Sequence, residues 1–195
     1  MLTKISKLLN KQKAVILTVT VFTLITIFII NVLASNDNKI VIIETTKGTI
    51  KAELAIKDAP RTTKNFITLI KKGFYNGLTF HRVEPGFVIQ GGDPVGNGTG
   101  GSGKEISLEI KCKDGRVIIG KTAPRTCQPV LTHTKGALSM ARAMDPNSAS
   151  SQFFITLDNT HFLDRKYAVF GYVTEGQDIV DKIQVGDKMN KVTLE

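Results

Sequence analysis

Short alternating runs of apolar and polar residues dominate the chain from residue 39 onward. Ile40–Thr45 is an apolar, β-branched run, and after a Lys47-Gly48 turn Thr49–Ile56 places an apolar residue at every second position. This period of two is typical of strands with one buried face, so the two segments are predicted to form an antiparallel hairpin. Similar runs predict further strands near 80–83, 87–90, 105–110, 136–141, 152–157, 167–174 and 191–195.

Two segments have helical signals instead. Asp58 and Pro60 mark a helix start, with Asp58 as the candidate N-cap. Three apolar residues form the inward stripe of this helix: Phe66, Leu69 and Ile70. Residues 176–183 show a shorter helical pattern. Many short strands with only two helices predict a mainly β fold, an antiparallel barrel rather than repeated strand–helix–strand units.

The N-terminal region has a different composition. Residues 14–34 contain no charge over 21 positions, which is enough for a helix to cross about 30 Å of hydrocarbon. Lysines before this run favour a cytoplasmic N-terminus and export of the downstream domain. Its length favours a retained anchor, while the small residues ending at Ala34 also fit a cleaved signal peptide. The predicted divisions are a basic segment 1–13, the anchor or signal segment 14–34, a linker 35–38 and one domain, 39–195.

Charge and cysteines narrow the function classes. The net charge is +9, and because four lysines lie in residues 1–13 the remainder carries only +5. Its basic residues are scattered, so we expect no nucleic-acid partner. Three isolated histidines and no Cys-x-x-Cys motif predict no metal site. In an oxidising compartment Cys112 and Cys127 are expected to form a disulfide, the alternative being two unpaired thiols.

A glycine-rich loop contains two misleading motifs. Gly96-x-Gly98-x-x-Gly101 matches a dinucleotide pattern, and the following Gly103-Lys104 nearly completes a phosphate loop. Both motifs require a helix immediately afterwards. Here residues 105–110 alternate like a strand, so the glycines are interpreted as loop geometry.

The segment Phe80–Asp93, FHRVEPGFVIQGGD, holds the candidate chemistry. Simple strand alternation places Phe80 and Arg82 on one face and His81 on the other. A Glu-Pro-Gly turn then leads to a second apolar run that ends at Gln90. The segment provides a fixed cation and an amide but no nucleophile or acid–base pair. Such a set suits orientation and hydrogen bonding rather than bond making.

Three motifs in this order resemble those of the cyclophilins, the peptidyl-prolyl cis–trans isomerases. They are FHRVEPGFVIQGGDP with the following GNGTGG (80–101), GALSMARAMDPNSASSQFFI (136–155) and HFLDRKYAVFGYV (161–173). The similarity covers 39–195 and implies a cyclophilin-like eight-stranded antiparallel barrel capped by two helices. It also implies isomerisation of X–Pro bonds in unfolded or extended polypeptides, here exported ones, without a cofactor; we expect a monomer.

The resemblance also implies roles for individual residues. The catalytic residues would be Arg82, Gln90 and Phe154. The substrate-binding residues would be Phe87, Val88, Ala141, Arg142, Ala143, Gln152, Phe162, Leu163 and Tyr167. Within this set, Phe87, Val88, Phe154 and Leu163 would form an apolar cup for the proline ring. The backbone of 141–143 would hold the residues before proline, and Gln90 and Gln152 would orient Arg82 or the substrate carbonyl.

Four positions depart from the best-known eukaryotic pattern and look like the bacterial branch. Phe162 replaces Trp, Arg142 replaces Asn, Tyr167 replaces His and Val88 replaces Met. Because Phe162 lacks an indole N–H, weak binding of cyclosporin is expected.

Two other functions compete with the isomerase. One is a non-catalytic module at the membrane that holds proline-containing segments in the same groove; the intact Arg82 favours the enzyme. The other is a hydrolase, which lacks support because His133 and His161 have no carboxylate or nucleophile at a recognisable spacing.

Overall fold

A computed structural model describes residues 39–195 of the chain. The predicted basic segment 1–13, the anchor or signal segment 14–34 and the linker 35–38 lie outside the described residues. Within 39–195, no helix combines the length and apolar character needed to cross a membrane.

The domain is mainly β with two helices. The predicted first hairpin is formed by β1 (Ile40–Thr45) and β2 (Gly48–Leu54), whose inward residues are fully buried. The other strands are β3 (Phe80–Glu84), β4 (Val88–Gly91), β5 (Glu109–Lys111), β6 (Val117–Ile119), β7 (Ala137–Met140), β8 (Phe153–Thr156), β9 (Val169–Glu175) and β10 (Met189–Leu194). The helices are α1 (Pro60–Lys71) and α2 (Gln177–Val180), with a 3₁₀ turn at His161–Leu163.

Eight strands form one antiparallel sheet in the order β10-β1-β2-β9-β7-β8-β4-β3. Its edge strands meet at one end only, where Thr79 bridges Lys188 and the Phe80 N–H donates to the Asp187 carbonyl at 2.8 Å. From Arg82 onward β3 pairs only with β4. The predicted closed barrel is therefore a curled sheet, a half-barrel joined at one end.

Helix α1 attaches to the sheet through Phe66. The Phe66 ring centroid lies 4.9 Å from those of Tyr75 and Phe170 and 5.3 Å from that of Phe153. All four rings are buried, and each such side chain contributes about 1.5–3 kcal/mol by leaving water. This aromatic cluster packs against the inner face of the sheet. Residues of β3, β4 and β8 on the opposite face point outward.

The predicted N-cap of α1 is wrong. Ala59 occupies the N-cap position and Asp58 instead accepts a hydrogen bond from Lys111 Nζ at 2.8 Å. The buried carboxylate of Glu109, on β5, accepts the Thr62 N–H. Glu109, which is distant in sequence, therefore accepts a backbone N–H that would otherwise lack a partner in the first turn of the helix.

Residues 109–127 form a separate unit, which we call the disulfide hairpin. It contains β5 and β6, and its Cys112 and Cys127 are joined by a disulfide. The predicted strand 105–110 starts only at Glu109, because the Ile106 and Leu108 amides bond to carbonyls in the 146–149 loop.

The disulfide hairpin docks on the loop that follows the 3₁₀ turn. The Ala123 N–H donates to the Arg165 carbonyl at 2.8 Å, and Arg165 Nη1 donates to the Arg125 carbonyl at 3.3 Å. Among residues 39–195, Arg165 is the only non-glycine residue with positive φ, at 67°. Arginine adopts this conformation at a cost, and the contacts from the hairpin help to hold it in the loop between Leu163 and Tyr167.

Candidate active site

Arg82 reaches the outer surface of the sheet because β3 contains a bulge. The register with β4 shifts between Phe80 and Arg82, leaving His81 as the extra residue. Phe80 is completely buried in the core, whereas the Arg82 side chain is 42% exposed. The prediction that Phe80 and Arg82 share a face is therefore wrong, since the bulge inverts the alternation.

Beside Arg82 lies an open pocket of about 270 Å³. Its lining consists of Arg82, Phe87, Val88, Gln90, Ala141, Arg142, Phe154, Leu163 and Tyr167. All nine are among the predicted site residues. Val88, Phe154 and Leu163 form a buried apolar floor, separate from the aromatic core around Phe66.

Two aromatic contacts shape the rim of the pocket. Phe87 stacks on Phe162 with ring centroids 5.6 Å apart, and Phe162 is 63% exposed. Tyr167 meets Phe154 edge-on at 5.9 Å. The rim is therefore aromatic on the Phe162 side, and the Phe162 ring itself carries no hydrogen-bond donor.

A chain of amides holds the guanidinium of Arg82. Arg82 Nη1 donates to Gln90 Oε1 at 3.2 Å, and Gln90 Nε2 donates to Gln152 Oε1 at 2.8 Å. Glu84 lies 3.5 Å from Arg82 Nε, but both side chains are about half exposed, so this pair stabilises by less than about 1 kcal/mol. The Arg82 Cζ lies 5.8 Å from the Phe87 ring centroid. The cation is thus fixed next to the apolar pocket with donors to spare.

The amide chain ends on the glycine loop, which Asp93 organises. Gln152 Nε2 donates to the Gly98 and Gly100 carbonyls at 3.0 and 2.8 Å. Burial opposes ionisation of Asp93, but backbone N–H groups of the loop outweigh it and lower the pKa of this carboxyl. A Cβ at Gly100 would collide with the Asp93 carboxylate. A loop wrapped around an anion does not suit phosphate, which agrees with reading the glycines as loop geometry.

The Arg142 side chain is held by hydrogen bonds and does not project freely into the pocket. Its Nε and Nη2 donate to the Lys166 carbonyl, and its Cζ lies 4.7 Å from the Tyr167 ring centroid. It therefore ties the 141–144 segment to the opposite wall of the pocket. Ala143 and Gln152 lie outside the proline-sized pocket and line the adjoining depression.

Sequence reasoning missed a buried network behind the pocket floor. His133 Nδ1 lies 2.7 Å from Asp164 Oδ1, and His133 Nε2 lies 3.0 Å from Ser139 Oγ. Asp164 Oδ2 also lies 3.0 Å from His161 Nδ1, so both histidines have a carboxylate partner that no spacing was recognised to indicate. His161 and Asp164 are three residues apart in sequence, whereas Asp164 lies 31 positions from His133 and only the fold brings those two together.

His133 and Ser139 have a structural role because they are sealed from substrate, whereas His161 at the other end of the network is exposed. His133 and Ser139 are 0% exposed, so the hydroxyl cannot reach a carbonyl in the groove. The His133 ring stacks on Phe154 with centroids 5.9 Å apart. Burial lowers the pKa of His133 despite Asp164, which leaves a neutral ring that donates to Asp164 and accepts from Ser139. The network thereby supports the pocket floor from behind.

Acidification is expected to destabilise the fold through His133. Its folded pKa lies below the unfolded value near 6.5, so this stabilisation is complete above pH 6.5 and is lost as pH falls towards the folded pKa. Urea titrations should give a stability that decreases from pH 7.5 to pH 5. In His133→Gln the slope should shrink by up to about 1.4 kcal/mol per pH unit. His81, whose pKa burial also lowers, acts in the same direction in both proteins; equal slopes would contradict the assignment.

Within the described domain, no three His, Cys, Asp or Glu side chains are grouped to hold a metal ion. The eight antiparallel strands with two helices, and the apolar pocket beside Arg82, agree with what the cyclophilin resemblance implies. A family model, the cyclophilin type peptidyl-prolyl cis-trans isomerases, matches residues 40–195. The chain therefore belongs to this family of isomerases.

Relatives and solved structures agree with this assignment. A peptidyl-prolyl cis-trans isomerase of Helicobacter pylori is 43% identical over 154 residues, covering 78% of this chain and 84% of that protein. One of Schizosaccharomyces pombe is 44% identical over 142 residues, covering 72% and 82%. A Cryptosporidium parvum cyclophilin type isomerase, solved in the presence of the dipeptide Ala-Pro, superposes with a TM-score of 0.67 at 30% identity, covering 80% of this chain and 98% of that one.

Proposed function

We propose that Arg82 catalyses X–Pro isomerisation by donating a hydrogen bond to the prolyl nitrogen as the amide twists. Amide resonance imposes a barrier of about 18–20 kcal/mol on rotation. Twisting localises a lone pair on that nitrogen, so a donor aimed there binds the transition state better than either planar isomer. Each 1.36 kcal/mol of such preference gives about a tenfold rate increase.

The observation that carries this proposal is the pairing of Arg82 with the pocket. An apolar floor of Val88, Phe154 and Leu163 suits a proline ring, and the braced guanidinium lies at its edge. The chemistry needs no nucleophile, in keeping with the buried state of Ser139. The wall at 141–143 would hold the residues that precede proline in extended form.

An exchange assay on an Ala-Pro peptide tests this function against the non-catalytic alternative. The chain should accelerate cis–trans exchange measured by NMR. Peptide binding without acceleration would instead support a module that only holds proline-containing segments.

We further propose that the domain acts on exported proteins and is tethered to a membrane by residues 14–34. The uncharged run after a basic segment and the disulfide between Cys112 and Cys127 support this location. N-terminal sequencing of the protein recovered from a membrane fraction should begin at or near Met1. A soluble form that starts after Ala34 would replace the anchor with a cleaved signal peptide.

Phe162 provides a test of ligand specificity. The exposed Phe162 ring has no N–H, so cyclosporin should bind weakly, and Phe162→Trp should tighten binding roughly 2–13-fold by adding one hydrogen bond of about 0.5–1.5 kcal/mol. Titration calorimetry of both proteins measures this, with Phe162→Leu as the control. Submicromolar binding by the unaltered chain would contradict the expectation.

The four positions that differ from the best-known eukaryotic pattern support a bacterial branch of the family: Val88, Arg142, Phe162 and Tyr167. The bacterial and fungal relatives are about equally identical to this chain.

A further inference from the structure

The pocket beside Arg82 adjoins the first of two further depressions. Gln90, Ala141 and Arg142 also line a depression of about 700 Å³ between the glycine loop and the 148–152 segment. That depression in turn shares Lys104 and Glu105 with a third one, of about 460 Å³, along α1. Neighbouring depressions share lining residues, and we call the three together the groove, which leads from the pocket beside Arg82 to the exposed face of the helix.

Ser150 fixes the junction between the second and third depressions. Asn65 Nδ2 of α1 donates to the Ser150 carbonyl at 2.7 Å, and Ser150 Oγ donates to the Lys104 carbonyl at 2.9 Å. The Ser102 N–H donates to Ser150 Oγ at 2.9 Å. These bonds tie the loop that carries Lys104 to the helix, so the far end of the groove has a defined shape.

The far end of the groove is cationic. Helix α1 contains no acidic residue; its exposed face contributes Arg61 and Lys64 to the third depression, and its C-cap residue contributes Lys72. Lys104 adds a fourth cation and Glu105 the single anion. Among residues 39–195, none of these four cations takes part in an ion pair, whereas seven other lysines and arginines do. The groove therefore offers unneutralised positive charge.

We propose that this cationic end binds acidic residues that lie several positions before the proline of a client polypeptide. The inference rests on the proposed function, which places the residues before proline along 141–143. That wall is shared by the first two depressions, so an extended chain continuing towards its N-terminus enters the region of Lys104 and α1. An acidic polypeptide is favoured over an anionic membrane because the cations line a groove continuous with the proline pocket.

The test compares two Ala-Pro peptides with the full chain in nonionic detergent. One carries a run of Glu residues upstream of the proline, and the other carries Gln at the same positions. The Glu peptide should bind about five- to thirtyfold more tightly by fluorescence anisotropy, with a matching decrease in KM, at low salt. The preference should disappear near 1 M salt, where the Debye length is about 3 Å.

Charge variants locate the effect. Lys64→Gln combined with Lys72→Gln should reduce the preference for the Glu peptide at least threefold and leave isomerisation of the Gln peptide unchanged. The matched control, Lys182→Gln with Lys188→Gln, removes two exposed lysines elsewhere and should retain the preference. Equal affinity for both peptides, or a preference that survives in the α1 variant, would overturn the inference.

Two further outcomes distinguish this inference from the catalytic proposal and from binding to lipid. Binding that favours Glu without any isomerisation would support the cationic groove while contradicting the catalytic proposal. Phosphatidylcholine vesicles with and without phosphatidylglycerol provide the lipid arm. If the α1 variant loses binding to the anionic vesicles but keeps its peptide preference, the surface binds lipid and the inference is wrong.

Discussion

Replacing Arg82 by Ala is expected to reduce kcat/KM for an Ala-Pro peptide by about 10²–10³-fold. Removing one donor that acts at developing charge typically has this effect. The loss cannot be restored by a neighbour, because Gln90 and Gln152 donate to other acceptors in the amide chain. A protease-coupled or NMR exchange assay gives the ratio.

Arg82→Lys is the informative control for this variant. Lysine keeps the charge but not the planar fork that donates to Gln90. It should recover only a small fraction of the activity lost in Arg82→Ala. Full activity in Arg82→Ala would remove Arg82 from the mechanism, and full activity in Arg82→Lys would show that charge alone is sufficient.

Removing the disulfide is expected to lower the free energy of unfolding by about 3 kcal/mol. Cys112 and Cys127 are separated by 15 residues, and closing a loop of that size restricts the unfolded chain by roughly this amount. For a domain of this size the midpoint of thermal unfolding should fall by roughly 6–12 °C. Calorimetry of Cys112→Ser with Cys127→Ser, against the oxidised protein, measures the difference.

The same variant should also weaken the active site. The disulfide hairpin holds the Arg165 backbone in its unfavourable conformation, between Leu163 and Tyr167 of the pocket wall. KM should therefore rise while the Arg82-dependent step is retained. An unchanged unfolding midpoint after reduction would show that the hairpin is held by packing alone.

Local patterns were sufficient where structure is local. The β1–β2 hairpin, the helical stripe around Phe66 and most of the later strands follow from alternation and turn residues close in sequence, whereas β6 was not predicted and β5 starts later than expected. The pocket residues came from the three motifs rather than from periodicity. By hydrophobicity alone, Val88 and Phe154 are indistinguishable from core residues, yet the sheet points them away from it.

Predictions failed where a residue depends on a distant partner. Asp58 has a side chain suited to an N-cap, but it accepts a hydrogen bond from Lys111 instead. Glu109 accepts the backbone N–H in the first turn of the helix. The face of Arg82 was wrong because a one-residue bulge at His81 is not visible in a pattern of period two. His133 and Asp164 meet only after the sheet has curled.

The central claim is that Arg82 stabilises the twisted amide more than it binds either planar isomer. NMR on one Ala-Pro peptide can measure both the dissociation constant and the catalysed exchange rate, for the unaltered chain and for Arg82→Ala. If Arg82 acts in this way, the dissociation constant should change less than about threefold while the exchange rate at saturation falls at least a hundredfold. A loss confined to affinity, with exchange at saturation intact, would contradict it.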